Sequence, residues 1–204
     1  IAAQTHRDYE LLVADDSTLM DVRRLVDRFS FPSSRVFRFK VDAEARRREN
    51  RMSIGINHCL REARGDLICY LADDDYYYPS WFAEANTFFV AHPNVVSAFG
   101  TLFYSRSLQM DYSTSGLARW SETPVEDPMG KLDHNQVVHR KTDLRWPESF
   151  DSVECPDGLY FRELAKMQPF RPINASAAVK RLHTKNLQDH LEELRQGKLD
   201  NLRD

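Results

Sequence analysis

The chain has 204 residues, of which 42% are hydrophobic, enough to form one domain with a sizeable core. This composition excludes a wholly disordered chain, a collagen-like fibre and a disulfide-stapled miniprotein. The formal net charge of −3 gives no indication of a nucleic-acid-binding surface.

Targeting and redox features predict a cytoplasmic protein. No run approaches the roughly 18 apolar residues of a membrane-spanning helix. The start at Ile1 shows no charged segment followed by an apolar one, so no secretory signal is expected. The three cysteines, Cys59, Cys69 and Cys155, lack the spacing of metal ligands and are expected to be reduced thiols.

The first elements predicted along the chain are a strand, a helix and a second strand. Tyr9 to Ala14 form a short apolar run typical of a buried strand. Ser17 can cap the next segment, where apolar residues from Met20 to Phe29 recur at helical spacing. Alternation of apolar and basic residues from Arg35 to Val41 predicts a strand with one exposed face.

The same alternation continues through the middle of the chain. An apolar stripe from Met52 to Ala63 predicts a helix that Gly65 ends. Leu67 to Leu71 form a fully apolar strand, Pro79 opens a helix through about Ala91, and Val95 to Tyr104 are strand-like. Strands and helices joined by such short connections predict an α/β domain with a largely parallel sheet.

The second half of the chain is less regular. Residues 106–133 are rich in Ser, Thr, Pro, Asp and Gly and are predicted to be long loops. Gln136 to Lys141 form a short strand, and Asp157 to Met167 form an amphipathic helix. A further charged helix from Asn186 to Arg195 leads into a frayed tail.

Two of the apolar strands end in clusters of aspartates. Asp15 and Asp16 follow the first strand, and the triplet 73–75 follows the strand beginning at Leu67. In a parallel sheet these ends share one edge, where ligands of open α/β sheets bind. Clustered carboxylates suit a hard ion such as Mg²⁺ or Mn²⁺ that also holds substrate phosphates. The plainer interpretation is that these aspartates cap helices or form turns.

Four blocks of sequence resemble the family-2 inverting glycosyltransferases. They are IAAQTHRDYELLVADDS at 1–17, the segment from NRMSIGIN to LADDDYYYPSWF at 50–82, LDHNQVVHRK at 132–141 and VECPDGLYFREL at 153–164. The blocks stand in the family's order, cover most of residues 1 to 185, and look closest to the spore-coat polysaccharide type. The resemblance implies a GT-A fold, a Rossmann-like mixed, mostly parallel sheet flanked by helices.

On the donor side, the resemblance implies roles for five residues. Asp16 would accept a hydrogen bond from a uracil or thymine base, and Arg51 would help to hold the nucleotide. Asp73 would approach the ribose or the metal, and Asp74 and Asp75 would be the metal-binding carboxylates. The run of three aspartates satisfies the family's Asp-x-Asp motif without deciding which of Asp74 and Asp75 is the direct ligand.

For catalysis, the resemblance implies that Asp157 is the general base, with Glu154 as the alternative. A carboxylate within reach of a sugar hydroxyl can take its proton as the hydroxyl attacks. An aspartate at this position also suits a helix start, and both roles can hold together. His183 would close over the metal or the diphosphate, or is an ordinary surface histidine. Arg181 and Lys185 would contact phosphate or be solvated.

Other candidates have two interpretations each. Asp133 and His134 resemble a family segment near the acceptor site, while His134 and His139 are otherwise structural. The tyrosines at 76–78 could stack on a sugar or pack against the following helix. The basic run 46–48 is flanked by glutamates and is better explained as a solvated face than as a nucleic-acid site.

Within one GT-A domain, we expect a donor-binding half at 1–105, an acceptor and catalytic half at 106–185 and a helical tail at 186–204. The resemblance also implies that the family's first strand, which precedes the block at residue 1, is absent from this chain. We therefore expect the chain to be a fragment of a longer polypeptide.

The function predicted is metal-dependent, inverting transfer of a sugar from a UDP- or dTDP-sugar to a hydroxyl of a glycan or small acceptor. By resemblance, this would serve cell-surface polysaccharide synthesis, in the cytoplasm or at the inner membrane face. A degenerate module that binds a nucleotide or glycan without turnover is the alternative. A Mg²⁺-dependent phosphatase, with Asp15 or Asp73 as nucleophile, is a weaker third hypothesis.

Overall fold

The computed structural model describes residues 1–17, 20–39, 50–107, 110, 112, 118–149 and 155–182. The predicted helix from Asn186 to Arg195 and the tail lie outside these residues. The three cysteines, all within the described part, form no disulfide, as expected. Among the described helices, none has both the length and the hydropathy that crossing a bilayer requires.

The N-terminal part forms a small parallel sheet with one short helix. Strand β1, Leu11–Asp15, pairs in parallel with β2, Ser34–Arg38. Between them lies helix α1, Val22–Val26, whose N-cap is Asp21. The expectation that Ser17 caps this helix is wrong, because the Asp21 carboxylate accepts the N–H of Arg24.

A second sheet of six strands forms the centre of the molecule, in the order β3-β7-β5-β8-β4, with β6 added to β5. Its strands are β3 Leu67–Cys69, β4 Tyr76–Tyr77, β5 Ser97–Ser105, β6 Ala118–Arg119, β7 Val137–Arg140 and β8 Arg171–Arg181. Strands β5 and β8 run parallel, whereas the other pairings of this sheet are antiparallel.

The mixed α/β fold is confirmed, but the balance of strand directions differs from the expectation. Among the described strands, two pairings are parallel and four are antiparallel. Strands β1 and β3 belong to different sheets. The prediction that their acidic ends share one edge of a single parallel sheet is therefore wrong. Hydrophobic patterning shows which segments are strands but carries no information on which strand lies beside which.

Three longer helices complete the fold. Helix α2, Arg51–Glu62, is capped by Asn50, whose side chain accepts the N–H of Ser53. Helix α3 spans Trp81–Ala91, and helix α4 spans Pro156–Met167 with Pro156 in its first turn. The sequence pattern therefore placed all three helices, with ends that differ by one or two residues.

The six-stranded sheet is buried on both faces. On β5 and β7, Phe99 and Val137 point into a core that includes Tyr160 and Leu164 of α4. Their neighbours in sequence, Ala98 and Val138, face the opposite core. That opposite core includes, from α3, Trp81, Ala85 and Phe89. Because successive side chains of a strand point to opposite faces, the sheet lies between α4 and α3 as the middle of three layers.

Candidate active site

The end of β1 brings two predicted donor-side residues into contact. Asp16 Oδ2 lies 2.5 Å from a terminal guanidinium nitrogen of Arg51, the first residue of α2. Asp15 is buried, and its Oδ1 accepts both the N–H (2.9 Å) and the hydroxyl (2.6 Å) of Ser17. Asp15 thus serves as a turn residue, which leaves it unsuited to be the nucleophile of a phosphatase.

Helix α2 is held in place by a buried asparagine. The Asn57 side chain donates to the Trp146 carbonyl at 2.8 Å and accepts the Trp146 N–H at 2.8 Å. It also donates to the Glu148 carboxylate, and the N–H of Asn50 donates to the Glu148 carbonyl. These bonds fix the N-terminal end of α2, and with it Arg51, against the segment that contains Trp146.

The three consecutive aspartates after β3 differ in exposure. Asp73 is exposed, Asp74 is partly exposed and Asp75 is buried. The turn that they form is held by a bond from the Asp75 N–H to the Ala72 carbonyl, and Arg181 Nε donates to the Asp74 carbonyl. Arg181, a candidate phosphate contact in the sequence, thus binds the backbone of this turn.

Both carboxylate oxygens of Asp75 are engaged inside the protein. Oδ1 accepts the N–H of Arg181 at 2.7 Å, and Oδ2 accepts the Asn135 side-chain amide at 2.7 Å. Burial raises the pKa of Asp75 to about 6; the Asp74 and Asp133 charges also raise it, while the Arg181 N–H and Lys180 oppose the rise. Asp75 therefore fastens the turn to β8 and to the segment of Asn135.

Asp133 forms a buried ion pair with Lys180. Lys180 Nζ lies 2.6 Å from Asp133 Oδ2, while Oδ1 accepts the N–H and the side-chain amide of Asn135. Burial alone would raise the pKa of Asp133, but the charges of His134 and Lys180 hold it below its usual range. The same pairing outweighs burial at Lys180 and raises its pKa.

Asp157 lies in the first turn of α4, as predicted, and faces a histidine. Its Oδ1 accepts the N–H of Gly158 at 2.9 Å, and its Oδ2 lies 3.7 Å from Nδ1 of His134. The helix start favours a negative charge at this position. His134 also approaches Asp133, so a chain of contacts runs from Asp157 through His134, Asp133 and Asn135 to Asp75.

Two members of this network were not singled out in the sequence. Asn135 stands inside the block LDHNQ, but an asparagine beside a charged pair gives no signal of its own. Lys180 lies on β8, which the sequence pattern did not reveal, because RPINASAAVKR shows no clean alternation of apolar and polar residues. Four other candidates, His183, Glu154, Lys185 and the run 46–48, lie outside the described residues.

Other aromatic and histidine candidates are part of the core. Tyr76 and Tyr77 are buried, and the Tyr77 hydroxyl donates to the Tyr70 carbonyl at 2.5 Å. His139 is fully buried: Nδ1 donates to the Arg140 carbonyl at 2.7 Å, so Nε2 accepts from the Tyr70 hydroxyl at 2.8 Å. Burial lowers the pKa of His139 to about 4. These groups support the core.

The residues present fit a metal that arrives together with a phosphate-bearing ligand. In the described part of the chain, no three His, Cys, Asp or Glu side chains cluster as ligands of one ion. Mg²⁺ is usually held by only one or two carboxylates plus substrate phosphates. The exposed Asp73 and the partly exposed Asp74 provide that number of hard oxygen ligands.

A cleft of about 600 Å³ is lined by residues between 119 and 132 together with Phe99 of β5. Its lining includes Arg119, Trp120, Asp127 and Lys131, and Trp120 is 55% exposed. Asp127 accepts from Arg162 of α4 at 3.1 Å, which ties this wall of the cleft to the helix.

The fold is shared with the S. aureus protein TarS. Residues 1–349 of TarS, crystallised with UDP, match with a TM-score of 0.64 and 15% identity over 89% of this chain and 54% of that one. The same fragment with UDP-GlcNAc matches with a TM-score of 0.64 and 15% identity, over 94% and 54%. The chain is therefore an α/β domain of the GT-A type, as the sequence predicted.

The sequence defines the family. The model of glycosyl transferase family 2 matches residues 1–144, and the chain belongs to this family. Protein CgeD of Bacillus subtilis (strain 168) is 22% identical over 184 residues, which are 85% of this chain and 43% of CgeD. The chain thus spans less than half the length of CgeD and about half of the TarS fragment.

Proposed function

We propose that this chain contains the donor site and the general base of an inverting glycosyltransferase that moves a sugar from a UDP- or dTDP-sugar to a hydroxyl acceptor. One observation carries the proposal. The contacts from Asp157 through His134, Asp133 and Asn135 join the predicted base to the aspartate turn after β3. A transferase needs its base and its diphosphate-binding group at a fixed separation, and one connected network supplies that.

On the donor side, Asp16 and Arg51 would hold the nucleotide. Their contact places a carboxylate acceptor and a guanidinium beside each other at the end of β1. A uracil or thymine N–H can donate to the carboxylate, and guanidinium groups bind phosphate oxygens and stack on planar rings. The TarS fragment, with the same fold, has been solved with UDP and with UDP-GlcNAc, which supports this choice of ligand.

Mn²⁺ or Mg²⁺ would be held by Asp74, together with Asp73 and the donor diphosphate. Asp74 fits better than Asp75, since both Asp75 oxygens are bonded inside the protein. When bound, the ion would neutralise the charge of the departing diphosphate. His183 remains a proposed further ligand.

Asp157 would take the proton of the acceptor hydroxyl during attack on the anomeric carbon, a contribution of about 10²–10⁴-fold in rate. A single displacement inverts that carbon. The cleft with the exposed Trp120 offers an aromatic face and polar groups for a glycan acceptor. The proposal keeps the division into a donor half at 1–105 and an acceptor and catalytic half at 106–185. A role in cell-surface polysaccharide synthesis belongs to the same proposal.

Donor binding is tested by calorimetric titration of UDP and dTDP into the full chain, with and without Mn²⁺. We expect binding that Mn²⁺ strengthens, that Asp74→Ala removes and that Asp143→Ala, an exposed matched control, leaves unchanged. Absence of binding by either nucleotide, in a chain that is folded by circular dichroism, would refute the donor site.

Catalysis is tested by Asp157→Asn, which keeps the shape of the side chain but not its basicity. Transfer from the donor that binds should fall by at least about 100-fold, with the Kd for UDP unchanged. Asp143→Asn is the control. If wild-type protein binds the donor but transfers no sugar to any glycan or to water, the domain is the non-catalytic binding module instead.

A further inference from the structure

His134 is enclosed between two carboxylates. It is the first residue of a short 3-10 helix, His134–Gln136, and its side chain is 16% exposed. Nδ1 lies 3.7 Å from Asp133 Oδ1 and 3.7 Å from Asp157 Oδ2. The ring lies in a T-shaped arrangement with Trp146, at a centroid distance of 6.4 Å. The imidazole is thus the one group that touches both aspartates in the described part of the chain.

The two carboxylates are unequal partners. Asp133 is fixed on its far side by Lys180 and by Asn135, and it caps the 3-10 helix that presents His134. In the described part of the chain, Asp157 accepts one backbone hydrogen bond, from the Gly158 N–H to Oδ1. The orientation of Asp157 Oδ2 therefore depends on the group that faces it, and that group is His134.

We propose that His134 is a positioning residue, whose protonated imidazole bridges Asp133 and Asp157 and holds the Asp157 carboxylate in the orientation from which it takes the acceptor's proton. This inference rests on the function proposed for Asp157. At 3.7 Å the contacts are ion pairs and not hydrogen bonds, so the positive charge of the ring is what makes them attractive.

The surroundings of His134 favour its charged form. Burial acts to lower its pKa, but Asp157 and Asp133 outweigh burial and raise the pKa above its ordinary value near 6.5. Lys180, from β8, opposes them weakly as a like charge, and Trp146 is uncharged. As the pH rises through the raised pKa, the imidazolium is lost and the hold on Asp157 is lost with it.

The pairing is tested without substrate by NMR titration of the histidine side chains, with His134 assigned by the signal missing in His134→Gln. We expect His134 to titrate above its ordinary pKa, and Asp157→Asn to lower that pKa, since one of its two partners loses its charge. Asp143→Asn should leave it unchanged. A His134 titration that is the same in Asp157→Asn and in wild type overturns the inference.

The positioning role is tested by the pH dependence of transfer. His134→Gln should lower kcat by about 10- to 100-fold with the donor KM unchanged, because the base is misplaced while the donor site is intact. The alkaline decline of the wild-type profile should disappear in this variant. An equal loss at every pH, with the alkaline decline retained, contradicts the proposal. His92→Gln, an exposed histidine at the end of α3, is the control.

If His134→Gln does not fold, Asp133→Asn takes its place. This variant keeps the imidazole but removes one of the charges that stabilise its protonated form, so the alkaline decline should move to lower pH. An unmoved decline overturns the inference. Failure of this inference is distinguishable from failure of the proposed function. If UDP binds but the His134 titration does not respond to Asp157→Asn, only the positioning role is refuted. If the titration responds but UDP does not bind, only the donor site is refuted.

Discussion

At the scale of single residues, Lys180 stabilises a cluster of buried carboxylates. Its ammonium group lies against Asp133, which is 6% exposed, and its charge also opposes the rise in pKa at Asp75. A buried carboxylate that loses its partner keeps the full cost of desolvation. Removal of Lys180 therefore takes the closest positive partner from Asp133 and one opposing charge from Asp75.

We predict that Lys180→Met lowers the free energy of unfolding by about 3 kcal/mol, because methionine keeps the stem but leaves the buried Asp133 without its closest positive partner. The double variant Lys180→Met/Asp133→Asn should recover at least about 1 kcal/mol of this loss, since the buried charge of Asp133 is removed as well. Urea unfolding at neutral pH measures both. Equal stabilities of the single and double variants would show that the Asp133 charge costs nothing without Lys180, which would contradict this account.

At the scale of elements, β5 joins the site to the core. It pairs with β6, β7 and β8, and the last two carry His139 and Lys180. The close approach of α3 to this strand requires Gly100. A Cβ atom at Gly100 would lie 2.7 Å from a ring carbon of Trp81 and 2.9 Å from the Ala175 carbonyl oxygen.

We therefore predict that Gly100→Ala destabilises the fold by about 1–3 kcal/mol, because neither the packed indole nor the backbone carbonyl can move away. Gly65→Ala is the matched control: its Cβ would meet only the Leu67 carbonyl oxygen, at an ordinary 3.6 Å. Thermal unfolding of both variants distinguishes crowding at β5 from a general effect of replacing glycine. A Gly100→Ala protein as stable as the control would contradict this account of the packing.

At the scale of the whole molecule, the central sheet is buried on both faces, and this burial determines how the stability of the protein changes in acid. His139 is fully buried in the core under α4, between the Tyr70 hydroxyl and the Arg140 carbonyl, and stays neutral down to a pKa of about 4. In the unfolded chain the same imidazole takes up a proton near pH 6.5. Between these values the unfolded state binds more protons, so stability falls as the pH falls.

The expected contribution of His139 is a loss of about 3 kcal/mol between pH 7 and pH 4, from its shift of more than two units. Asp75 acts with the opposite sign, because its raised pKa of about 6 makes the folded state bind more protons between about pH 4 and 6. The stability difference between wild type and His139→Gln isolates His139, since Asp75 is present in both. That difference should shrink on acidification. A His139→Gln difference that stays constant with pH would refute the account.

Much of this protein is determined by local sequence. The stripes of α2 and α4, the apolar runs of β1, β3 and β5, and the order of the motif blocks were sufficient to predict the helices, an α/β domain and the family. Asp16 and Arg51 were named separately, through the resemblance to the family, and their contact emerged only from the structure. Hydrophobic periodicity acts over a few residues, so it can be seen in sequence, whereas the cap of α1 was expected at Ser17 and lies at Asp21.

Only the tertiary structure decided strand neighbours and the polar network. Whether β3 lies beside β1 or β7 depends on the packing of segments about 50–70 residues apart, which no hydrophobic pattern specifies. The same packing makes Asp73, Asp74 and Asp75 different, although they are identical in sequence: one is exposed, and another is buried against Asn135 and β8. Burial and the charge of neighbours determine what a carboxylate can do, and both are properties of the folded chain.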